Sequence, residues 1–148
     1  MTMWTVEFYE DAGGKRPVET WMAGLSTAEY AAVRAAIVHV LEPQGLALAS
    51  TPWITPLGGG LYEFRIRHDA ATIESMYRGS GTSRSRAPGK ILLRLFVHFH
   101  GNKIVLMLHG YDKGKDNSPT RQNKEIQRAQ KMLRTWKVDQ ARNAKRKR

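Results

Sequence analysis

Two apolar runs joined by a short polar turn form the strongest pattern in the chain. The first extends from Ile91 to Phe99 and the second from Ile104 to His109, with His100-Gly101-Asn102-Lys103 between them. Aliphatic and aromatic runs that flank a Gly-Asn turn predict a β-hairpin. The second run is apolar at every position up to its closing histidine, which predicts a central strand buried on both faces.

Alternating apolar and polar residues predict two more strands, over Trp4–Tyr9 and Leu61–Arg67. In the second of these strands the aromatic and aliphatic side chains face one way and the charged side chains face the other. Pro56 to Gly60 is interpreted as a flexible lead-in to this strand. Asp69 to Tyr77 shows no single period and is predicted to extend the strand or to begin another.

Helical spacing predicts helices over Pro17–Leu25, from Ser26 to just before Pro43, and from about Thr120 to about Lys137. The second begins with a capping box, a serine followed three residues later by a glutamate. Antiparallel strands with helices on one face predict an α+β fold. We expect one domain over residues 1–137, with a basic loop insert over 79–90 and a basic tail over 138–148.

Composition and charge narrow the function classes. The chain has an apolar fraction of 41% and no cysteine, which is typical of a globular protein without disulfides or thiolate metal sites. It has no apolar run of about 18 residues and no apolar signal core, so we expect a cytoplasmic protein. The net charge of +11 indicates a polyanionic partner, with nucleic acid favoured over an acidic protein.

Three arginines in the predicted strands are candidates for phosphate contacts. Arg65 and Arg67 lie on one face of a strand, about 7 Å apart, which suits neighbouring phosphates, although a solvated strand face is the alternative. Arg94 is a lone charge in an apolar run, so it must emerge at the concave face or pair with an acid. Glu63 is the obvious acid for such a pair.

These segments, in this order, resemble the RelE/HigB superfamily of toxins from bacterial toxin–antitoxin pairs, and most of all its phage-derived HigB-like branch. The likeness covers most of the chain between Trp4 and about Trp136. It rests on Gly60–Arg67, Leu93–Phe96, Ile104–Lys115, Ser118-Pro119, Glu125-Ile126 and Ala129.

The resemblance implies a RelE-like fold, in which an antiparallel sheet of about four strands carries two N-terminal helices and a C-terminal helix on one side. It also implies cleavage of mRNA on the ribosome without a metal or other cofactor, and hence inhibited translation. The implied partner is a cognate antitoxin with a helix-turn-helix domain, similar to HigA. No membrane partner is expected.

The resemblance assigns roles to several residues. Arg65 matches a basic active-site position, Arg94 the arginine that clamps the scissile phosphate, and Lys113 the cation that stabilises the transition state. From their positions beside the same loop, and not from the resemblance, Tyr111 is the favoured proton carrier and His109 is an alternative, while a packed tyrosine and a hydrogen-bonded histidine are the structural alternatives. The expected RNA-binding residues are Arg67, His98, His109 and Lys115, and Lys115 is also the alternative to Lys113.

Two positions depart from the well-known nuclease members. Glu63 stands where those members carry a lysine, and Ile126 stands where some carry a tyrosine. Either Tyr111, a histidine or Glu63 therefore transfers the proton, or the chain is not an efficient nuclease. The alternatives are a toxin of the same fold that binds a protein such as DNA gyrase, as ParE members do, and a non-catalytic nucleic-acid-binding phage protein.

Overall fold

A five-stranded sheet runs through the computed structural model, which describes residues 3–78 and 91–146. The strands are β1 (Thr5–Phe8), β2 (Ile54–Gly58), β3 (Leu61–Ile66), β4 (Leu93–His100) and β5 (Ile104–Asp112). The helices are α1 (Pro17–Ala23), α2 (Thr27–Ala36), α3 (Glu42–Gln44), α4 (Ala70–Arg78) and α5 (Pro119–Arg146). A π-helical turn over Ile37–Leu41 joins α2 to α3, and a 3₁₀ helix covers Gly45–Ser50.

The sheet confirms the α+β class but differs from the expected antiparallel sheet of about four strands. Its order is β1-β5-β4-β3-β2, and β1 pairs parallel to β5 while the other neighbours are antiparallel. The predicted hairpin is confirmed, and β5 lies between β1 and β4 as a central strand should. The additional strand is β2, which includes part of the stretch interpreted as a flexible lead-in. Because β2 is an edge strand, Pro56 can sit in it without breaking a ladder on both sides.

Helices cover both faces of the sheet, so the expectation that they lie on one side is wrong. Leu95 packs in a core with residues of α1 and α2, whereas its neighbour Phe96 packs in a second core with Ala129 and Leu133 of α5. Successive residues of a strand point to opposite faces. The sheet therefore separates α1 and α2 on one side from α5 on the other.

Local signals explain most helix boundaries. Ser26 and Glu29 form the predicted capping box, with hydrogen bonds in both directions at 3.2 and 3.1 Å. The helix does not stop before Pro43, because this proline occupies the first turn of α3, where a missing N–H is tolerated. The chain turns at Gly45, whose φ is 49° and where an added Cβ would lie 2.1 Å from the ring of Trp4.

The segment that follows β3 is helix α4, so its prediction as a strand is wrong. Asp69 accepts a hydrogen bond from the Thr72 N–H at 2.8 Å, which caps the helix, and Ile73 is fully buried. The C-terminal helix also differs, since α5 continues past Lys137 to Arg146 and includes most of the predicted basic tail. The predicted basic loop over residues 79–90 lies outside the described residues.

Candidate active site

A polar cluster lies between the sheet and the first half of α5. The strand register places Arg65 opposite Arg94, and Arg94 opposite Tyr111, so these three side chains share the face that α5 covers. We use the term polar cluster for the following residues: Glu63, Arg65, Arg94, His109, Tyr111, Arg121, Gln122 and Glu125. The strand members are among the residues that the sequence singles out, whereas the three residues from α5 are not.

Glu63 is the centre of the cluster and is fully buried. Its Oε1 accepts a hydrogen bond from Arg65 Nε at 3.2 Å and lies 3.7 Å from Arg94 Nε. Its Oε2 accepts a hydrogen bond from Gln122 Nε2 at 3.4 Å. Two cations from neighbouring strands thus converge on one carboxylate oxygen, and their attraction offsets the free-energy cost of burying the charge of Glu63.

Arg94 is buried more deeply than is expected of a side chain that contacts a phosphate directly. Its side chain is only 3% exposed, and its Nη1 donates a hydrogen bond to the Leu93 carbonyl at 3.3 Å. Burial lowers the pKa of Arg94, and the Glu63 carboxylate opposes this effect. The position matches the ion pair with Glu63 that the sequence offered as the alternative to a phosphate clamp.

Tyr111 is poorly suited to carry a proton. Its ring is stacked on Phe96, with 5.8 Å between centroids, and the guanidinium of Arg121 lies 5.4 Å above it. Burial, together with the nearby Glu63, raises the pKa of Tyr111 to about 12. A general acid or base works best when its pKa is near the working pH, so this hydroxyl is a weak candidate for either role.

His109 belongs to a second group of charges, centred on Glu125. The Nε2 atom of His109 lies 3.3 Å from Glu125 Oε1, and burial lowers the pKa of this imidazole although Glu125 opposes the shift. Arg121 donates from Nε and Nη2 to Glu125 Oε2, both at 3.2 Å. Glu125 itself is only 4% exposed. The sequence does contain a signal that Glu125 faces the sheet, because it lies on the same helical stripe as Ala129 and Leu133.

Three cations lie at the open end of the cluster, and we call them the cationic rim: Arg65, Arg67 and Lys113. The Arg65 side chain is 27% exposed, Arg67 is exposed, and Lys113 is partly buried. The pKa of Lys113 is lowered, first by burial and then by the charge of Arg94, with smaller effects from Arg65 and Arg67. The rim therefore brings together cations from the end of β3, the residue that follows it and the loop after β5.

Two predicted RNA-binding residues lie away from the rim. His98 is four residues along β4 from Arg94, about 13 Å by strand rise, and its ring packs edge-on against Trp136. Its Nδ1–H donates to the Gly60 carbonyl at 2.7 Å. Lys115 is exposed, and its charge acts on Glu29 and Asp112.

The described residues, 3–78 and 91–146, place no group of three or more His, Cys, Asp or Glu side chains where they could hold a metal ion. The same residues include no helix long and apolar enough to cross a membrane. Comparisons of the chain with models of known protein families, with curated proteins and with solved structures found no match.

Proposed function

We propose that this chain is the toxin of a bacterial toxin–antitoxin pair and cleaves mRNA on the ribosome without a metal. The observation that carries the proposal is the cationic rim, in which Arg65, Arg67 and Lys113 stand beside a buried polar cluster in a chain of net charge +11. Such a rim suits a phosphate diester. The resemblance in sequence adds a cytoplasmic site of action and a helix-turn-helix antitoxin as partner.

In this reaction the 2′ oxygen of the RNA attacks the adjacent phosphorus, and the bond to the 5′ oxygen breaks. The products are a 2′,3′-cyclic phosphate and a 5′ hydroxyl. Arg65 and Lys113 stabilise the negative charge that builds up on the phosphate oxygens. Since the pKa of Lys113 is lowered, its ammonium also gives up a proton more readily to the departing 5′ oxygen.

The remaining polar residues have supporting roles in the proposal. Arg94 is a positioning residue, because it shares the Glu63 carboxylate with Arg65 and so fixes where Arg65 points. His109 is the candidate base for the 2′ proton, because burial lowers its pKa and favours the neutral imidazole. Its Nε2 is buried 3.3 Å from Glu125 Oε1, so this role requires the contact between His109 and Glu125 to open when RNA binds. Tyr111, which is 1% exposed, packs beneath the site.

The burial of Arg94 and of the Tyr111 hydroxyl favours a second candidate function. A toxin of this fold that binds a protein target such as DNA gyrase would use the same cationic rim without proton transfer. A non-catalytic nucleic-acid-binding phage protein would likewise need only the charges.

Controlled expression in a bacterial host separates these functions. The proposed nuclease activity predicts growth arrest and new 2′,3′-cyclic phosphate ends within messages, and both should be lost in Lys113→Ala. Lys131→Ala is the matched control, since it removes the same charge from an exposed position of α5. Growth arrest with a DNA damage response and intact messages would replace the nuclease with the gyrase-type toxin. Salt-dependent nucleic-acid binding without growth arrest would favour the non-catalytic protein.

A further inference from the structure

A pocket opens beside the cationic rim at the edge of the sheet formed by β2 and β3. Its volume is about 270 Å³, slightly below the range of about 300–1,000 Å³ for sites that take drug-sized ligands, so it suits one small ring system. Its lining combines apolar and aromatic side chains with the side chains of two arginines. The lining residues are Pro52, Trp53, Arg65, Arg67, His68 and Met76.

Trp53 is held in place as the aromatic wall of this pocket. Its indole is stacked on Phe64, with 5.8 Å between centroids and 29° between planes. The backbone carbonyl of Trp53 accepts a hydrogen bond from the backbone N–H of Arg65 at 2.7 Å, and the backbone N–H of Trp53 donates to Thr51 Oγ1 at 3.2 Å. The half-buried ring is therefore fixed before any ligand arrives, and its backbone is tied to a residue of the cationic rim.

The surroundings of Trp53 combine exposed apolar surface with positive charge. Met76 is 51% exposed and Tyr77 is 39% exposed, although both are large apolar side chains. Among the residues that the structure describes, the Arg67 guanidinium has no ion-pair partner, so its charge is available at the pocket mouth. Aromatic surfaces next to a cationic track are how proteins hold unpaired bases of single-stranded nucleic acid.

We propose that this pocket is a nucleobase subsite for single-stranded RNA, in which one base lies against Trp53 while Arg65 and Arg67 contact the phosphates that flank it. Naming RNA as the ligand rests on the proposed function. Arg65 lines the pocket and also belongs to the cationic rim, so the seated base is that of a nucleotide next to the phosphate at the rim.

The binding of a short single-stranded oligoribonucleotide, 2′-O-methylated so that it cannot be cut, tests the subsite. Fluorescence anisotropy with the full chain is compared between the intact oligonucleotide and versions that lack one base at successive positions. Removal of the seated base should weaken binding to the wild-type protein by about 5- to 150-fold, the range expected for one stacked base. This base dependence should disappear in Trp53→Leu.

Met76→Glu provides a test that does not alter the core, since it places a carboxylate at the pocket mouth on an exposed position. Val138→Glu is the matched control, because Val138 is also 51% exposed but lies on α5. Base dependence should be lost in Met76→Glu and kept in Val138→Glu. The proposal is overturned if the wild-type protein binds intact and base-deleted oligonucleotides with equal affinity. It is also overturned if the base dependence survives in both Trp53→Leu and Met76→Glu.

This binding test and the test of the proposed function can fail independently, because the oligonucleotide cannot be cleaved. Base-dependent affinity that requires Trp53 supports the subsite even if the chain leaves messages intact on ribosomes. Cleavage of messages by a protein whose affinity ignores the base supports the nuclease and overturns the subsite.

Discussion

Removal of the Glu63 charge should destabilise the fold more than removal of either arginine beside it. Glu63→Gln preserves the volume of a fully buried side chain but leaves Arg94, which is 3% exposed, without a counter-charge. Breaking a buried ion pair on one side costs about 3–5 kcal/mol. At about 2–4 °C per kcal/mol for a chain of this size, the unfolding temperature should fall by about 6–20 °C.

Arg94→Met should cost less, about 1–3 kcal/mol, because Glu63 keeps its hydrogen bonds from Arg65 and Gln122. The double variant Glu63→Gln/Arg94→Met removes both buried charges and should be more stable than Glu63→Gln alone. Urea unfolding followed by circular dichroism gives the free energies of unfolding for all three variants.

Glu19→Gln is the control, since this carboxylate is 63% exposed and pairs with Arg16 at the surface. It should change the free energy of unfolding by less than about 0.5 kcal/mol. Two results would contradict a buried ion pair between Glu63 and Arg94. One is a loss of unfolding free energy in Glu63→Gln no larger than that in the control. The other is a double variant that is less stable than Glu63→Gln.

Three other perturbations follow from the structure. Gly110→Ala should cost about 1–3 kcal/mol in urea unfolding, because the new Cβ would lie 2.4 Å from the ring of Trp21; a neutral result would mean that α1 does not pack on β5 as described. Ser26→Ala should cost about 1 kcal/mol through the lost helix cap, and an unchanged midpoint would contradict the capping box. Burial holds the pKa of His109 below its unfolded value of about 6.5, so the unfolded chain takes up the proton first and stability should fall as the pH drops below about 6.5. His109→Gln should flatten this dependence without abolishing it, since the pKa of His98 is lowered too; an unchanged slope would count against burial of His109.

The strands that carry the site were predictable because alternation is a local property. Tyr62 and Phe64 alternate with Glu63 and Arg65, and this pattern fixes which side chains share a face. The edge strand β2 was missed because its proline and glycine are typical of a loop, and only pairing with β3 makes it a strand. Periodicity likewise predicts that α5 has one buried side, but it cannot tell which face of the sheet receives that side.

The composition of the polar cluster was harder to foresee. Strict alternation along β5 would place His109 on the same face as Met107, but a β-bulge at Leu108 turns it toward Phe96 instead. The pairing of Glu125 with His109 joins a strand to a helix and depends on how α5 crosses the sheet. The depth of Arg94 is also a tertiary property, which is why the sequence left both a phosphate clamp and an ion pair open.

Because Arg94 supports the fold, its removal cannot separate catalysis from stability, and Lys113 is the better residue to change. The most direct measurement of the proposed activity adds purified protein to translating ribosomes and maps the ends of the message. The wild-type chain and Lys131→Ala should both cut within the message and leave 2′,3′-cyclic phosphate ends. Lys113→Ala should be slower by about 10²–10³-fold, as expected for one lost transition-state contact. Message that stays intact in the presence of folded wild-type protein would contradict the proposed endonuclease.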